Sequence, residues 1–150
     1  MTAALQGTKL NPGAFIRMSQ QQLDDVFKQA PAGPIPQSIV QGTAILLPGT
    51  AVAPLIRWLV HSFIWKGKAF EQGGTELRNR LTPFGIKAIR AKVSYDASWL
   101  DGKKAILIDY SKTSFVAQKI RDEIREVAPG VYLGKVWWGK TRVCDFALEV

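Results

Sequence analysis

Apolar residues recur at two different spacings along this chain, and the spacing separates predicted helices from predicted strands. In residues 19–30 the apolar positions from Leu23 to Ala30 recur every three or four residues, which predicts an amphipathic helix. Ser19 followed by Gln22 is the pattern of a capping box, so we expect this helix to begin at Ser19. The proline-rich stretch of 31–36 then predicts an extended segment that ends the helix.

Two further segments have apolar spacing that favours helices. Residues 53–65 are apolar on nearly every side, which predicts a largely buried helix that ends before Gly67. Residues 114–127 carry an apolar stripe with charged residues between, and Pro129-Gly130 follows. The stripe consists of Val116, Ile120, Ile124 and Val127, and Lys119 and Glu123 stand four residues apart on the polar side.

Most of the other segments alternate between apolar and polar residues, which is the period of a β-strand. Asp101-Gly102 is a strong hairpin signal between two of them, and Gly139-Lys140 predicts the turn between the last two. The predicted strands are 42–48, 75–81, 86–95, 105–110, 131–138 and 141–150.

This order of elements predicts one α+β domain in which antiparallel hairpins dominate the second half. We expect a small antiparallel β-barrel at residues 42–150, with one helix (114–127) before the final hairpin. Residues 1–41 form an N-terminal arm that carries the helix of 19–30 and the proline-rich linker. The alternative is a curved, cone-shaped sheet wrapped on a helix, as in many small isomerases and dehydratases.

The composition limits the class of protein, the kinds of site and the kinds of partner to expect. Of the 150 residues 47% are apolar and 21% are charged, which is typical of a folded globular protein and excludes global disorder. One cysteine and one histidine exclude an internal disulfide and a Cys/His zinc site, so we expect no metal and no cofactor. The net charge of +8 favours anionic partners. Basic residues are nevertheless interleaved with acidic ones, so we do not expect a nucleic-acid partner.

Two features of the sequence indicate where in the cell the protein is expected: its N-terminus and one uncharged segment. No basic start is followed by a long apolar stretch, so no secretory signal is visible and a cytoplasmic location is expected. Residues 29–56 carry no charge and contain five prolines. Prolines and polar residues interrupt this stretch too often for a membrane span. Peripheral membrane contact through residues 43–65 stays open.

A short motif adds a resemblance. The sequence WKGKAF at 65–70 resembles the Trp-x-Gly-Lys-x-Phe signature of bacterial GXWXG-type domains, which are similar to lipocalins and nitrobindins. Phe146–Glu149 fits the Phe-x-Leu-Glu pattern that ends this family, whereas its first Gly-x-Trp element is absent at 60–63. The resemblance implies a lipocalin-like (calycin) barrel with a cavity for a small apolar ligand. Segments 31–36 and 117–125 also resemble an uncharacterised group of bacterial proteins, which implies no activity.

Three residues are candidates for acid/base chemistry. His61 is the only histidine and the natural acid or base at neutral pH, although its very apolar surroundings favour a packed core residue. Asp109 shares a strand face with apolar neighbours, which favours either a general base or a cap for the next segment. Tyr110 beside it is a candidate to polarise a carbonyl or hydroxyl.

A second group of residues is predicted to contact a ligand. Asn79 stands between leucines on a strand face, and a polar group in such a position needs a partner. Large aromatic residues at a barrel mouth are suitable walls for an apolar ligand. The predicted ligand-binding residues are Trp65, Asn79, Arg90, Trp138 and Asp145; core packing for the tryptophans and ion pairs for the charged residues are the alternatives.

Together these features predict a protein that binds an apolar or amphipathic small molecule in a barrel cavity. Fatty acids, terpenoids, steroids and haem-like rings fit this description. The alternative is a cofactor-free isomerase, cyclase or lyase that uses His61, Asp109 and Tyr110 in the same cavity. Exposed edge strands would allow a homodimer.

Overall fold

A computed structural model describes residues 9–37, 39–45, 65–70, 76–81, 86–110 and 118–150 of the chain. Within these residues two short helices precede eight strands. The helices are α1 (Pro12–Phe15) and α2 (Gln20–Gln29). The strands are β1 (Ile39–Ile45), β2 (Trp65–Phe70), β3 (Glu76–Leu81), β4 (Ile86–Ala97), β5 (Lys104–Asp109), β6 (Ile120–Ala128), β7 (Val131–Trp138) and β8 (Thr141–Glu149).

All eight strands pair with their neighbours in chain order, and every pair is antiparallel. Strand β1 also pairs with β8, where Gln41 lies opposite Glu149 and Ile45 lies opposite Asp145. Each of the eight strands described therefore has a hydrogen-bonded neighbour on both sides. Gly102 has a φ of 73° in the β4–β5 hairpin, a conformation that favours glycine at this turn.

One side of the sheet, which we call the core face, carries one of the two apolar clusters of the described residues. A Cβ atom on Gly134 of β7 would lie 2.2 Å from the ring of Phe146 on β8. The glycine therefore lets this ring lie directly on the neighbouring strand. The buried members of the cluster are Phe70, Ala91, Val93, Ile106, Ile108, Tyr110, Ile124, Tyr132, Phe146 and Leu148.

The opposite side, the helix face, is covered by α1 and α2. The side chain of Ser19 accepts a hydrogen bond from the backbone of Gln22, and Gln22 reciprocates, so α2 begins with a capping box. Its buried residues Leu23 and Phe27 pack with Leu133 of the sheet. This packing fixes the N-terminal arm against the strands.

The segment that follows α2 covers one end of the sheet. The Oη of Tyr95 donates to the carbonyl of Gly33 at 2.9 Å, and the Oη of Tyr132 donates to that of Pro34 at 2.7 Å. Ile35 packs against the core-face cluster. We call this the closed end. The far end is the opposite end, where β6 begins at Ile120 and β7 ends.

The α+β class, the capped helix of 19–30 and an antiparallel sheet are confirmed. Strands β3, β4, β5, β7 and β8 match the predicted segments within a few residues, and β1 overlaps the predicted strand of 42–48. Trp65 begins a strand and does not end a helix; residues 46–64 lie outside the described part of the chain. Neither α1 nor α2 is long and apolar enough to cross a membrane, and no other helix occurs in the described residues.

The helix predicted at 114–127 is wrong, because residues 120–128 form strand β6. Residues 111–117 lie outside the described part. Ile120 and Ile124 are four positions apart, a spacing that places two residues on one side of a strand as well as of a helix. The charged residues between them suggested a solvated helix surface. In the structure Glu123 and Arg125 are fully buried on the helix face.

Candidate functional site

A buried polar pair lies within the core face. Asp122 of β6 is 4% exposed, and Tyr110, which directly follows β5, is 1% exposed. The Oη of Tyr110 donates to Oδ2 of Asp122 at 3.1 Å. Asp122 lies opposite Ile108 on β5 and Val136 on β7, so its strand neighbours are apolar. A polar group in such surroundings is costly unless it is hydrogen-bonded, and the phenol supplies one such bond.

The pair lies near the far end of the sheet. Trp138, a predicted ligand residue, is half-buried there and lies opposite Ile120, which packs on the core-face cluster. Val136 lies opposite Cys144, and both are half-buried. The far end therefore combines an indole, aliphatic side chains and one carboxylate–phenol pair, which is the composition of a small-molecule site.

Of the three predicted acid/base residues, the two that the structure describes, Asp109 and Tyr110, lie on opposite faces of the sheet. Asp109 is the last residue of β5 and directly precedes Tyr110, and successive side chains point to opposite faces of a sheet. Asp109 shares its side with Ala105, which packs in the helix-face cluster. The apolar neighbours expected on the same strand face as Asp109, Ala105 and Leu107, are buried there. His61 lies outside the described residues.

Asp122, the partner of Tyr110, was missed by the sequence analysis. The predicted helix of 114–127 assigned it to a solvent-facing surface. Read as a strand, the same segment alternates Ile120, Asp122 and Ile124 on one side, and a carboxylate between two isoleucines is the signal that could have found it.

Asp145 is also placed differently from its prediction as a ligand residue. It is fully buried on the helix face, not the core face. The Nζ of Lys135 donates to its Oδ2 at 2.7 Å, and the Nε2 of Gln20 donates to the same oxygen at 3.1 Å. Its apolar neighbour Ala147, on the same side of β8, packs in the cluster that contains residues of α1 and α2. The structural ion pair, the alternative in the sequence analysis, is the arrangement found.

The other three predicted ligand residues are located by their backbone pairing. Trp65 at the start of β2 lies opposite Leu81. Asn79 on β3 lies opposite Lys68 on β2 and Ile89 on β4. Arg90 on β4 lies opposite Arg78 on β3.

A second ion pair shares the lysine of the first. The Nζ of Lys135 also lies 2.8 Å from Oδ1 of Asp24 on α2, and Arg142 of β8 donates to both oxygens of Asp24 at 2.8 and 2.9 Å. Burial by itself would raise the pKa of Asp24, but the bonds from Arg142 and Lys135 outweigh it and hold the pKa below 3.8. These charges attach α2 to the sheet.

Arg125 on β6 anchors two covering elements at once. Its guanidinium makes paired bonds to Asp101 of the β4–β5 hairpin at 2.7 and 2.8 Å, and these bonds lower the pKa of Asp101. It also donates to the carbonyl of Phe27 at the end of α2, and its Cζ lies 4.5 Å from the centre of the Phe27 ring. The buried charges of the helix face thus hold α2 and the β4–β5 hairpin against the sheet.

Comparisons with known proteins bear on the fold. No family model matches the chain, and no curated protein matches it. A solved structure of a protein from Thermomonospora curvata aligns with 88% of this chain and 87% of its own, with a TM-score of 0.63 and 18% identity. A likeness at this identity shows the fold alone. The resemblance to GXWXG-type domains stays a prediction.

Proposed function

We propose that the chain binds a small apolar or amphipathic molecule on the core face, next to Tyr110 and Asp122. The hydrogen bond between these two buried groups, set among aliphatic side chains, carries this proposal. Ligand sites are mostly apolar with a small number of placed polar groups, and this combination occurs at the far end.

The strand arrangement supports a calycin-like interpretation of the site. Eight antiparallel strands in closed order can enclose an interior that side chains fill or that holds one small ligand. Residues 32–35 cover the closed end through the phenols of Tyr95 and Tyr132. The ligand would therefore enter at the far end, past Ile120 and Trp138.

A second candidate function is acid/base catalysis on an apolar substrate. The observation that favours it is the direct contact between two titratable groups, Tyr110 and Asp122, in apolar surroundings. The carboxylate would accept a proton from the substrate, and the phenol would donate to a carbonyl or hydroxyl. This chemistry fits an isomerase, cyclase or lyase, with Asp122 in the role that the sequence analysis gave to Asp109.

A titration with the neutral fluorophore 1-aminoanthracene tests binding. We expect saturable one-to-one binding by the wild-type protein. Val136→Phe adds a ring beside Asp122 and should weaken binding about tenfold or more, since overfilling a packed site is costly. Val127→Phe is the matched control, because Val127 is a half-buried valine of the helix face.

Thermal melts of both variants show whether each is folded. Absence of saturable binding by the folded wild-type protein would refute the proposal. Equal weakening by the two folded variants would place the probe elsewhere and refute the location.

A further inference from the structure

We propose that the helix-face side of the far end docks on the surface of a membrane that contains anionic lipids. The docking surface consists of the exposed Trp99, the half-buried Trp137 and the exposed lysines Lys119 and Lys140, and we call it the tryptophan–lysine patch. The sequence analysis left peripheral membrane contact open at residues 43–65, and this patch lies on other residues. The inference does not depend on the proposed small-molecule site.

Trp99 is a large apolar side chain that the fold holds partly in solvent. It is 46% exposed, although its backbone N–H donates to Oε1 of Glu123 at 2.8 Å. The Cζ of Arg121 lies 4.2 Å from the centre of its ring, and the ring of Trp137 packs against it edge to face, with the ring centres 5.7 Å apart. Because these contacts fix the indole before a partner binds, binding would order little that is not already ordered.

Trp99 reaches the far end although it belongs to the β4–β5 hairpin. Its two ring partners, Arg121 and Trp137, lie opposite each other, next to the first residue of β6 and the last residue of β7. A backbone hydrogen bond of 2.8 Å joins the β7–β8 turn to the carbonyl of Lys119. Lys119 and Lys140 therefore lie at the same end of the sheet as the two indoles.

The positive charge of the two lysines is not neutralised within the described residues. None of the ion pairs formed there involves Lys119 or Lys140, and the turns that carry these lysines contain no acidic residue in their described part. Exposed acidic side chains of the described residues, Asp96 and Glu149, lie near the closed end, where β4 and β8 end. The far end is therefore complementary to a negatively charged surface.

An exposed indole beside unpaired lysines is the composition of an anchor at a membrane interface. Tryptophan is enriched at the level of the lipid headgroups because its ring is amphipathic, and lysines near the surface are attracted to anionic lipids. Single-stranded nucleic acid instead stacks successive bases on several rings along a basic groove. Among its described residues this patch has one exposed ring, and Arg121 already covers one side of it. The geometry therefore favours a lipid surface.

Co-sedimentation with lipid vesicles tests the proposal. The vesicles contain phosphatidylcholine with about 30% phosphatidylserine, or phosphatidylcholine alone, in about 0.1 M salt. We expect the wild-type protein to bind the phosphatidylserine vesicles at least about tenfold more tightly. Lys119→Gln combined with Lys140→Gln should weaken this binding about tenfold or more, since each lysine near an anionic surface contributes about a factor of five.

A second double variant removes the same charge elsewhere. Lys28→Gln combined with Lys104→Gln replaces two exposed lysines, one near the end of α2 and one near the closed end, and should weaken binding by less than about twofold. Equal weakening by the two double variants would mean that the net charge of +8 attracts vesicles without a defined surface, and would overturn the proposal.

The contribution of the indole has its own matched control. Trp99→Ala should weaken binding about threefold or more, because it removes the interfacial ring. Tyr95→Ala is the control, since Tyr95 is 42% exposed and lies 4.2 Å from the Nζ of Lys104, on the core-face side near the closed end. Its replacement should leave binding unchanged, and an equal effect of the two variants would contradict the location of the patch.

Fluorescence quenching by brominated phosphatidylcholine in the phosphatidylserine vesicles locates the indole directly. The quenching should fall in Trp99→Phe, which keeps an aromatic ring in the hairpin and replaces Trp99→Ala if thermal melts show that variant to be unfolded. Quenching that Trp99→Phe leaves unchanged, or no binding of the wild-type protein to phosphatidylserine vesicles, would overturn the proposal. So would a single-stranded oligonucleotide that binds more tightly than the vesicles and depends on Trp99, because it would assign the patch to nucleic acid.

Discussion

Lys135 offers a quantitative test of the helix face. Its ammonium group contacts Oδ2 of Asp145 at 2.7 Å and Oδ1 of Asp24 at 2.8 Å, and the side chains of Lys135 and Asp145 are fully buried. Lys135→Met keeps most of the side-chain volume and removes the charge. Asp24 retains Arg142, whereas Asp145 is left with the hydrogen bond from Gln20 alone. The loss therefore falls mainly on Asp145.

The expected cost follows from the burial of this pair. Removing one partner of a buried ion pair leaves an uncompensated charge and typically costs about 3–5 kcal/mol. Lys135→Met should lower the free energy of unfolding by that amount. Replacing both charges, in Lys135→Met with Asp145→Leu, should recover most of the loss, since an apolar pair of similar volume often matches a buried ion pair in stability.

Urea denaturation followed by tryptophan fluorescence measures these free energies. Lys140→Met is the control, because Lys140 is exposed in the β7–β8 turn and its replacement should change stability by less than about 0.5 kcal/mol. A loss below about 1 kcal/mol in Lys135→Met would refute the burial argument. A double variant less stable than the single one would do the same.

Two further predictions concern the core face and the closed end. Gly134→Ala should destabilise the protein by about 1–3 kcal/mol, because its Cβ would meet the ring of Phe146. The loss should be smaller when Phe146 is also replaced by Leu. Thermal melts of the wild type, the two single variants and the double variant measure both effects. Burial, with Glu126 and Tyr95 nearby, raises the pKa of Tyr132 from 10.0 to about 12, so its contribution to stability is complete below pH 10.0 and is lost as the pH rises towards 12. Tyr132→Phe should therefore show a smaller decline of its urea midpoint across this interval, and an equal decline in both proteins would contradict the assignment.

The sequence was sufficient to predict those strands whose two sides differ in polarity. Alternation located β3, β4 and β5, and the Asp101-Gly102 and Gly139-Lys140 turns fixed the hairpins. Strand β6 was not predicted as a strand, because it buries charged residues. Arg125 on the helix face is fully buried. From the sequence alone an arginine at this position is expected to be solvated, since its partners Asp101 and Phe27 are distant in sequence.

The candidate site was predictable only in part. Tyr110 was identified because it stands beside Asp109, and Trp138 because it is a large aromatic residue in a predicted strand; both lie on the core face. Asp122 could have been identified only if residues 120–128 had been recognised as a strand. Asp145 was assigned to the ligand because a sequence does not show which of two buried sides faces a covering helix.

The central claim is that a small apolar molecule occupies the core face beside Asp122. Isotope-filtered NMR of the labelled protein with unlabelled 1-decanol tests it directly. The account predicts intermolecular nuclear Overhauser effects to the side chains of Ile108, Val136 and Phe146, and none to Leu23 of α2. Contacts confined to Leu23 and its neighbours on the helix face, or no contacts at saturating ligand, would contradict it.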